Sequence, residues 1–466
     1  MGKSFRADDL NQSLLFPPSL HDWLPENHLA RFLSDVVNAL DLEGIYASYS
    51  EKDGRGMSAY APAMMVRVLL YGYATGVYSS RKIQAKTYDD VAFRFLSADE
   101  HPDHSTLAEF RKRHLKALAG LFLQAVQLCA KAGLVKLGHV AIDGTKIKAN
   151  ASKHKAMSYA RMGEAERRLQ QEIAALLQQA EDTDAAEDAL YGKGRRGDEL
   201  PDELSRRDSR LKKIQQAKAE LEKEAAEKAE QQRAEAEAER AARRDQEQQT
   251  GKKPRGRKPK APAAEQAQPE AKAQRNFTDG DSRIMPDGAN KGSFLQGYNA
   301  QAAVDSTAQV IVAAEITQQA NDSRQLLPML DQLEANLGRK PDAVSADAGY
   351  WSEANATDEK TAGIDLHIAT GRMKHDQTMA TESGPPPDQT TPKQAMQHKL
   401  RTDAGRTIYK MRKAIVEPVF GQIKELRGFR RFSLRGLDKV QAEWKLVCAA
   451  ANLLKLFRSG WTPDPA

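Results

Sequence analysis

Gly138-His139-Val140-Ala141-Ile142-Asp143-Gly144 decides how the rest of the chain is read. Small and β-branched residues run into a carboxylate and then a glycine, the pattern of a buried strand with an acid at its end. Ala343-Val344-Ser345-Ala346-Asp347 repeats it, again followed by a small residue and a glycine. Between the two, Gly297 to Asp305 alternates like a strand. Asp305-Ser306-Thr307 turns it into a second strand over Ala308–Ile316. Gln325–Leu337 has helical spacing, Ser352–Thr361 suits a short helix, and Ile364–Ala369 a fourth strand after Asp143's. The polar stretch from Gly371 to Gln397, with Pro385-Pro386-Pro387, reads as a loop, and Arg406–Phe457 as mostly helical. This order predicts an α/β domain of the α+β kind, built on one mixed sheet.

Outward from that core, residues 1–135 read as an all-helical domain. Leu29, Phe32, Leu33, Val36, Val37 and Leu40 recur at helical spacing, and Met64, Met65, Val68 and Leu69 read as core. Asp103-His104-Ser105-Thr106 opens a helix, with Thr106 and Glu109 at capping-box spacing. The amphipathic run from Phe110 to Leu128 follows and opens on Arg111, Lys112 and Arg113.

The middle of the chain differs in kind. Leu169, Ile173, Leu176 and Leu177 form one helical stripe, and Leu204, Leu211, Ile214 and Leu221 another near heptad spacing. Gly192–Gly197 is a turn between them, so 156–250 reads as a helical hairpin resembling a coiled coil. From Leu221 to Phe277 there is no large apolar residue, so that stretch builds no core. Its first part reads as exposed helix. Residues 251–275 read as a basic Pro/Ala-rich linker, disordered in part, and 458–466 as a tail.

Composition narrows the function. Of 466 residues, 40% are hydrophobic and 29% charged, with mean hydropathy −0.65, and no run is apolar and long enough to span a membrane. The first residues lack an apolar core of the secretory kind. Two distant cysteines, Cys129 and Cys448, exclude a disulfide framework and fit a reducing cytoplasm. A net charge of +6 permits nucleic-acid binding.

A third acid, Glu417, stands near the C-terminal end, seven residues before Lys424 and so on the same helical face. Pro418 predicts either a kink or a new helix there. Three carboxylates without a His/Cys cluster suit hard cations such as Mg²⁺, a pair of which can activate water and stabilise a leaving oxygen at a phosphodiester. A lone Asp after a strand is ordinarily a turn residue, so the weight rests on the set.

The set resembles the DDE-type transposases of bacterial insertion sequences, the subgroup with a C-terminal Tyr-x2-Arg-x4-Glu-x6-Lys signature. Tyr409, Arg412, Glu417 and Lys424 stand at those spacings. Asp143-Gly-Thr-Lys-Ile-Lys-Ala-Asn-Ala-Ser, Gly297-Tyr-Asn-Ala-Gln-Ala-Ala-Val-Asp305, Asp347-Ala-Gly-Tyr350, Glu417-Pro-Val-Phe-Gly421 and Pro102–Thr106 with Phe110-Arg111 belong to the same likeness. It covers residues 10–155 and 275–457 and leaves the insertion out. It implies an RNase H-like catalytic domain over 136–155 and 276–457, with Asp143, Asp347 and Glu417 around Mg²⁺, Mn²⁺ able to substitute, two ions in all. It also implies cleavage at the element's ends, transfer of the 3′-hydroxyl into target DNA, and pairing of two copies on double-stranded DNA. Residues 151–275 then form an excursion from a loop, which folds tolerate.

For DNA contacts, Tyr409, Arg412, Lys424, Lys146, Arg427, Arg430 and Arg431 are candidates for phosphate binding; Arg412, Lys424, Arg427, Arg430 and Arg431 lie within a segment from Arg412 to Arg435 that nets +5. Lys148 and Lys153 fit the same role. Arg111, Lys112 and Arg113 are candidates for reading the DNA ends, against a domain that merely packs on the catalytic one. Pro254-Arg-Gly-Arg-Lys-Pro259 resembles an AT-hook with Lys258 in place of proline, and reads as a basic linker. Trp351 is a stacking candidate but reads better as a packed aromatic. His101 and His104 have metal-like spacing without partners and read as structural. The competing functions are an RNase H-like nuclease without strand transfer, a catalytically inactive DNA-binding relic or regulator, and a helical scaffold.

Overall fold

The structure, a computed structural model, describes residues 19–50, 58–191, 202–250, 267–288, 290, 292–371, 381–387 and 390–463. The turn expected at 192–197, the AT-hook-like 254–259 and most of the linker lie outside the described residues. The chain divides into two compact units, Met1–Ile147 with Tyr298–Ala466, and Lys148–Gly297.

Among the described residues eight helices come first: α1 Leu20–Trp23, α2 Leu29–Ala39, α3 Glu43–Ser50, α4 Pro62–Thr75, α5 Ser80–Asp89, α6 Val91–Leu96, α7 His104–Arg113 and α8 Leu115–Lys131. Then follow β1 His139–Lys148, β2 Ala156–Ser158, α9 Tyr159–Tyr191, α10 Asp202–Thr250, β3 Gln274–Asn276, β4 Arg283–Pro286, β5 Phe294–Asp305, β6 Ile311–Thr317, α11 Leu326–Leu337, β7 Ala343–Ala346, α12 Glu353–Thr357 and β8 Asp365–Ile368. Helices α13 Pro392–Arg401, α14 Asp403–Gly421 and α15 Leu437–Arg458 complete the chain.

In the first unit the sheet runs β6-β5-β1-β7-β8. Strands β1, β7 and β8 are parallel, with Ile142 opposite Ala346 and Ala346 opposite Ile368. Strands β5 and β6 are antiparallel, with a bulge between Ala303 and Val304. Every residue of β5 from Leu295 is buried, as are Val140, Ala141, Ile142, Val344 and Ala346. Burial on both faces is why these strands read as apolar runs. Helix α15 packs on β6, α8 and α4, and α11 packs on β6. Asn452 of α15 grips the start of β6, accepting from the Ile311 N–H at 2.9 Å and donating to its carbonyl at 2.8 Å. The mixed sheet is the expected one.

The helical face of α2 buries Phe32, Leu33, Val36 and Val37, and Met64 and Met65 are core, as their spacing predicts. The start of α7 differs in its cap. Asp103, not Thr106, accepts the Ser105 N–H at 2.7 Å. The single helix expected from Phe110 to Leu128 breaks at His114, whose buried ring lies against Phe110 and Tyr49. Arg111 to Arg113 therefore end α7 instead of opening a helix. His101 stacks on Tyr88 and His104 bonds Gln84, local roles for both.

Two corrections concern the C-terminal part. The loop expected up to Gln397 gives way at Pro392 to α13, started by a Thr391–Gln394 capping box with proline in its first turn. Helix α14 continues through Pro418, neither ending nor restarting there, and goes on as a π-turn over Gln422–Leu426. Proline leaves the Ala414 carbonyl without its helical donor, and the Gln309 side chain supplies one at 2.9 Å.

In the second unit α9 and α10 form the expected hairpin. Met162 and Leu169 meet Leu211, Ile214, Ala217 and Leu221 in a small core, while Leu177 is 45% exposed and off the stripe. Strands β2 and β3 close its base, with Ala156 opposite Asn276. A strand, β3, lies ahead of Asp281, where the sequence placed the start of regular structure. That strand is polar and is held by ladder bonds and by Arg275 paired with Glu220 and Glu224, so no apolar pattern announces it. Strand β4 pairs with the first residues of β5.

Candidate active site

The parallel register puts Ile142 beside Ala346, where the β1–β7 pairing stops, so the next residues, Asp143 and Asp347, follow neighbouring positions. Asp347 lies just past the end of β7, but Asp143 does not end its strand as its sequence suggested, because β1 runs on to Lys148. The Asp143 carboxylate accepts from the Gly144 N–H at 2.8 Å and from the Arg412 guanidinium at 2.9 Å. Asp347 caps a short turn over Ala348–Tyr350 by accepting the Gly349 N–H at 2.8 Å. Burial, reinforced by the neighbouring Asp347 charge, raises Asp143 to about 6, with Arg412 and the Gly144 N–H opposing it. Burial works against the Arg412 charge, but Asp143, Tyr409 and Asp347 outweigh it and hold the guanidinium above its ordinary value. Each group stabilises the charged form of the other.

Helix α14 delivers Arg412, which is buried at 8% exposure, with the Tyr409 ring centroid 5.9 Å from its guanidinium. One helical turn separates these two side chains and places them on one face. Thr145 shares the Asp143 face of β1, two residues on. Its hydroxyl accepts from the Lys424 ammonium at 3.0 Å, which also donates to the Lys146 carbonyl at 3.4 Å. Asp143, Asp347, Tyr409, Arg412 and Lys424 are thus brought into one neighbourhood. Glu417 stands on the exposed side of α14, and among the described residues no hydrogen bond or ion pair joins it to Asp143 or Asp347.

The other candidates divide. Lys146 is largely buried, and its ammonium lies 3.8 Å from Asp322. Arg430 and Arg431 are exposed; Arg430 pairs with Glu425 and donates to the Lys424 carbonyl. Arg427 is turned inward. Burial lowers its pKa, and its backbone carbonyl packs where a Cβ on Gly76 would sit. Lys112 and Arg113 are exposed, but Arg111 is buried and donates to the Tyr73 hydroxyl, the Tyr78 carbonyl and the Ser80 hydroxyl. It holds the N-terminal helices together and presents nothing to a DNA end. Lys148 and Lys153 are exposed. Trp351 is half-buried beside the fully buried Tyr350.

Four residues were not anticipated as site residues. Asn299 and Gln301 both donate to the Asp322 carboxylate, at 2.6 and 2.7 Å, and the Tyr350 hydroxyl donates to Gln301. Asn299 and Gln301 are polar residues two apart, and so on one face, of a strand buried along its length, a spacing legible in the sequence. Asp322 lies in a polar turn and carries none.

Among the described residues no three His, Cys, Asp or Glu side chains converge as a ready-made metal site. The donors still fit a hard divalent cation. Mg²⁺ is commonly held by one or two carboxylates and completes its shell with substrate phosphates and water. Asp143 and Asp347 supply the carboxylates. A buried Asn299 oxygen close by has no hydrogen-bond partner among the described residues. No described helix is long and apolar enough to cross a membrane.

Comparison with known proteins gives two family matches. Residues 18–113 match the family model "Transposase domain (DUF772)", and residues 267–453 match "Transposase DDE domain". No curated protein and no solved structure gives a significant match. The second match implies an RNase H-like fold for the mixed sheet. With both models matched in this order, the chain belongs to the DDE-type transposases of insertion-sequence type.

Proposed function

We propose that this transposase cuts the phosphodiester backbone at the ends of an insertion sequence and joins the released 3′-hydroxyl to target DNA. The observation that carries the reading is the pair of Asp143, on β1, and Asp347, just past the end of the adjacent parallel strand β7, with the Arg412 guanidinium 2.9 Å from Asp143. These carboxylates would hold Mg²⁺, or Mn²⁺ in its place. Such a cation lowers the pKa of water and stabilises charge on phosphoryl oxygens.

The chain's own groups prepare that site. Arg412 keeps Asp143 ionised against its burial and holds it in one orientation. Lys424, seated on Thr145 beside Asp143, offers a point charge to a backbone phosphate on the same side of β1. Tyr409 lines the Arg412 face, and the exposed Arg430 and Arg431 extend the positive surface for duplex DNA. Glu417 enters the proposal as the third acid, carried by the helix that carries Arg412. Two copies acting on paired DNA ends complete it.

The test is cleavage and strand transfer on DNA carrying the element's ends, in Mg²⁺ or Mn²⁺. Asp143→Asn should lose at least about a hundredfold in both steps while retaining DNA binding. Glu417→Gln reports on the third acid in the same assay. An active Asp143→Ala would sink the assignment.

A further inference from the structure

A second group of charges lies on the opposite face of β1 from Asp143. Gly144 and Lys146 share that face, by the alternation of side chains along a strand. A Cβ on Gly144 would meet the Asn299 oxygen and one Asp322 oxygen, each at 2.8 Å, with the Gln301 amide nearer still. The other Asp322 oxygen lies toward Gly349, 3.4 Å from where its Cβ would be, and Asp347 lies 2.9 Å from the same point. Asp322 therefore reaches from Gly144 within β1 to the turn after β7. Among the described residues its charge is paired with the Lys146 ammonium at 3.8 Å. Asp143 and Asp347 also act on that ammonium.

The Asn299 side chain is fully buried, and its amide nitrogen is committed to the Gln319 carbonyl and Asp322. That commitment aims its oxygen into the same recess, where it has no partner among the described residues. An unpaired buried oxygen beside a carboxylate is unfavourable unless a cation shares the space.

We infer that Lys146 is a resident cation in this acid cluster, standing in for a second metal ion, so that the chain binds one divalent cation and not two. This rests on the Asp143–Asp347 reading of the site. Asp347 lies between the two positions, Asp143 on one side and Asp322 with Asn299 on the other. The Lys146 ammonium neutralises the second position without needing a metal.

The experiment is Mn²⁺ stoichiometry of the full chain without DNA, read by electron paramagnetic resonance. We expect one bound Mn²⁺ in the wild type, two in Lys146→Met, and one again in Lys146→Met with Asp322→Asn. Two ions in the wild type, or one in Lys146→Met, would overturn the inference. The wild-type count decides even if Lys146→Met fails to fold. Asp143→Asn separates the two readings. If it leaves Mn²⁺ binding unchanged, the acid-pair site itself falls. If it removes the ion while Lys146→Met adds none, only the inference about Lys146 falls.

Discussion

Gly144 shows how one missing methyl group shapes the site. It follows the acid of β1 and leaves room for Asn299, Gln301 and Asp322 to meet. These side chains hold one another by hydrogen bonds from a buried strand and cannot retreat together. Gly144→Ala should therefore cost about 1–3 kcal/mol in denaturant unfolding. Gly138→Ala, six residues earlier with nothing within 4 Å, should cost under about 0.5 kcal/mol. Equal costs would mean that the recess yields. Glycine after a strand-end Asp reads in the sequence as a turn residue. Its real constraint comes from residues more than 150 positions away, which no local pattern reports.

At the scale of elements, the hairpin between β5 and β6 and the helix α14 are joined by a repair. Pro418 strips the Ala414 carbonyl of its helical donor, and Gln309 at the hairpin tip replaces it. Gln309→Ala should cost about 1 kcal/mol of stability. In a Pro418→Ala background the helix supplies its own N–H, so the same truncation should cost roughly half as much or less. A double-mutant cycle by chemical denaturation measures the coupling, and additive losses would rule the repair out. The sequence shows the proline but not its compensation, which is why a kink or a break is the natural expectation there.

Across the whole molecule, α15 is the element on which the N-terminal helices and the sheet meet. Its buried Glu443 accepts from the Tyr73 hydroxyl at 3.1 Å and from the N–H groups of Ser433 and Leu434, and Arg111 reaches the same hydroxyl. Further along α15, the Lys455 ammonium donates to the carbonyls of Ala308 and Gln309. Burial, with the charge of Arg427, lowers Lys455 to about 7. An unfolded lysine keeps its proton to about 10.4. Between these values the unfolded chain holds one more proton, so this residue makes stability rise with pH, by up to ~1.4 kcal/mol per unit, and fall again as pH drops toward 7. Lys455→Met should flatten that rise. Denaturation midpoints at about pH 7, 8 and 9 check it, and parallel slopes for the two chains would count against it.

The strands that carry Asp143 and Asp347, the helical spacing of α2 and α4 and the Tyr409–Arg412 face are legible in the amino-acid sequence. These are local patterns of period two or 3.6, written in neighbouring residues. That Arg111 and Arg427 turn inward, that Glu417 lies on the exposed side of α14, and that Asp322, Asn299 and Gln301 gather under Gly144 follows from tertiary packing alone. Whether a charged side chain faces solvent or a buried partner depends on which distant element packs over it. In this chain those partners come from α4, α5, β5 and α15, brought together only by folding.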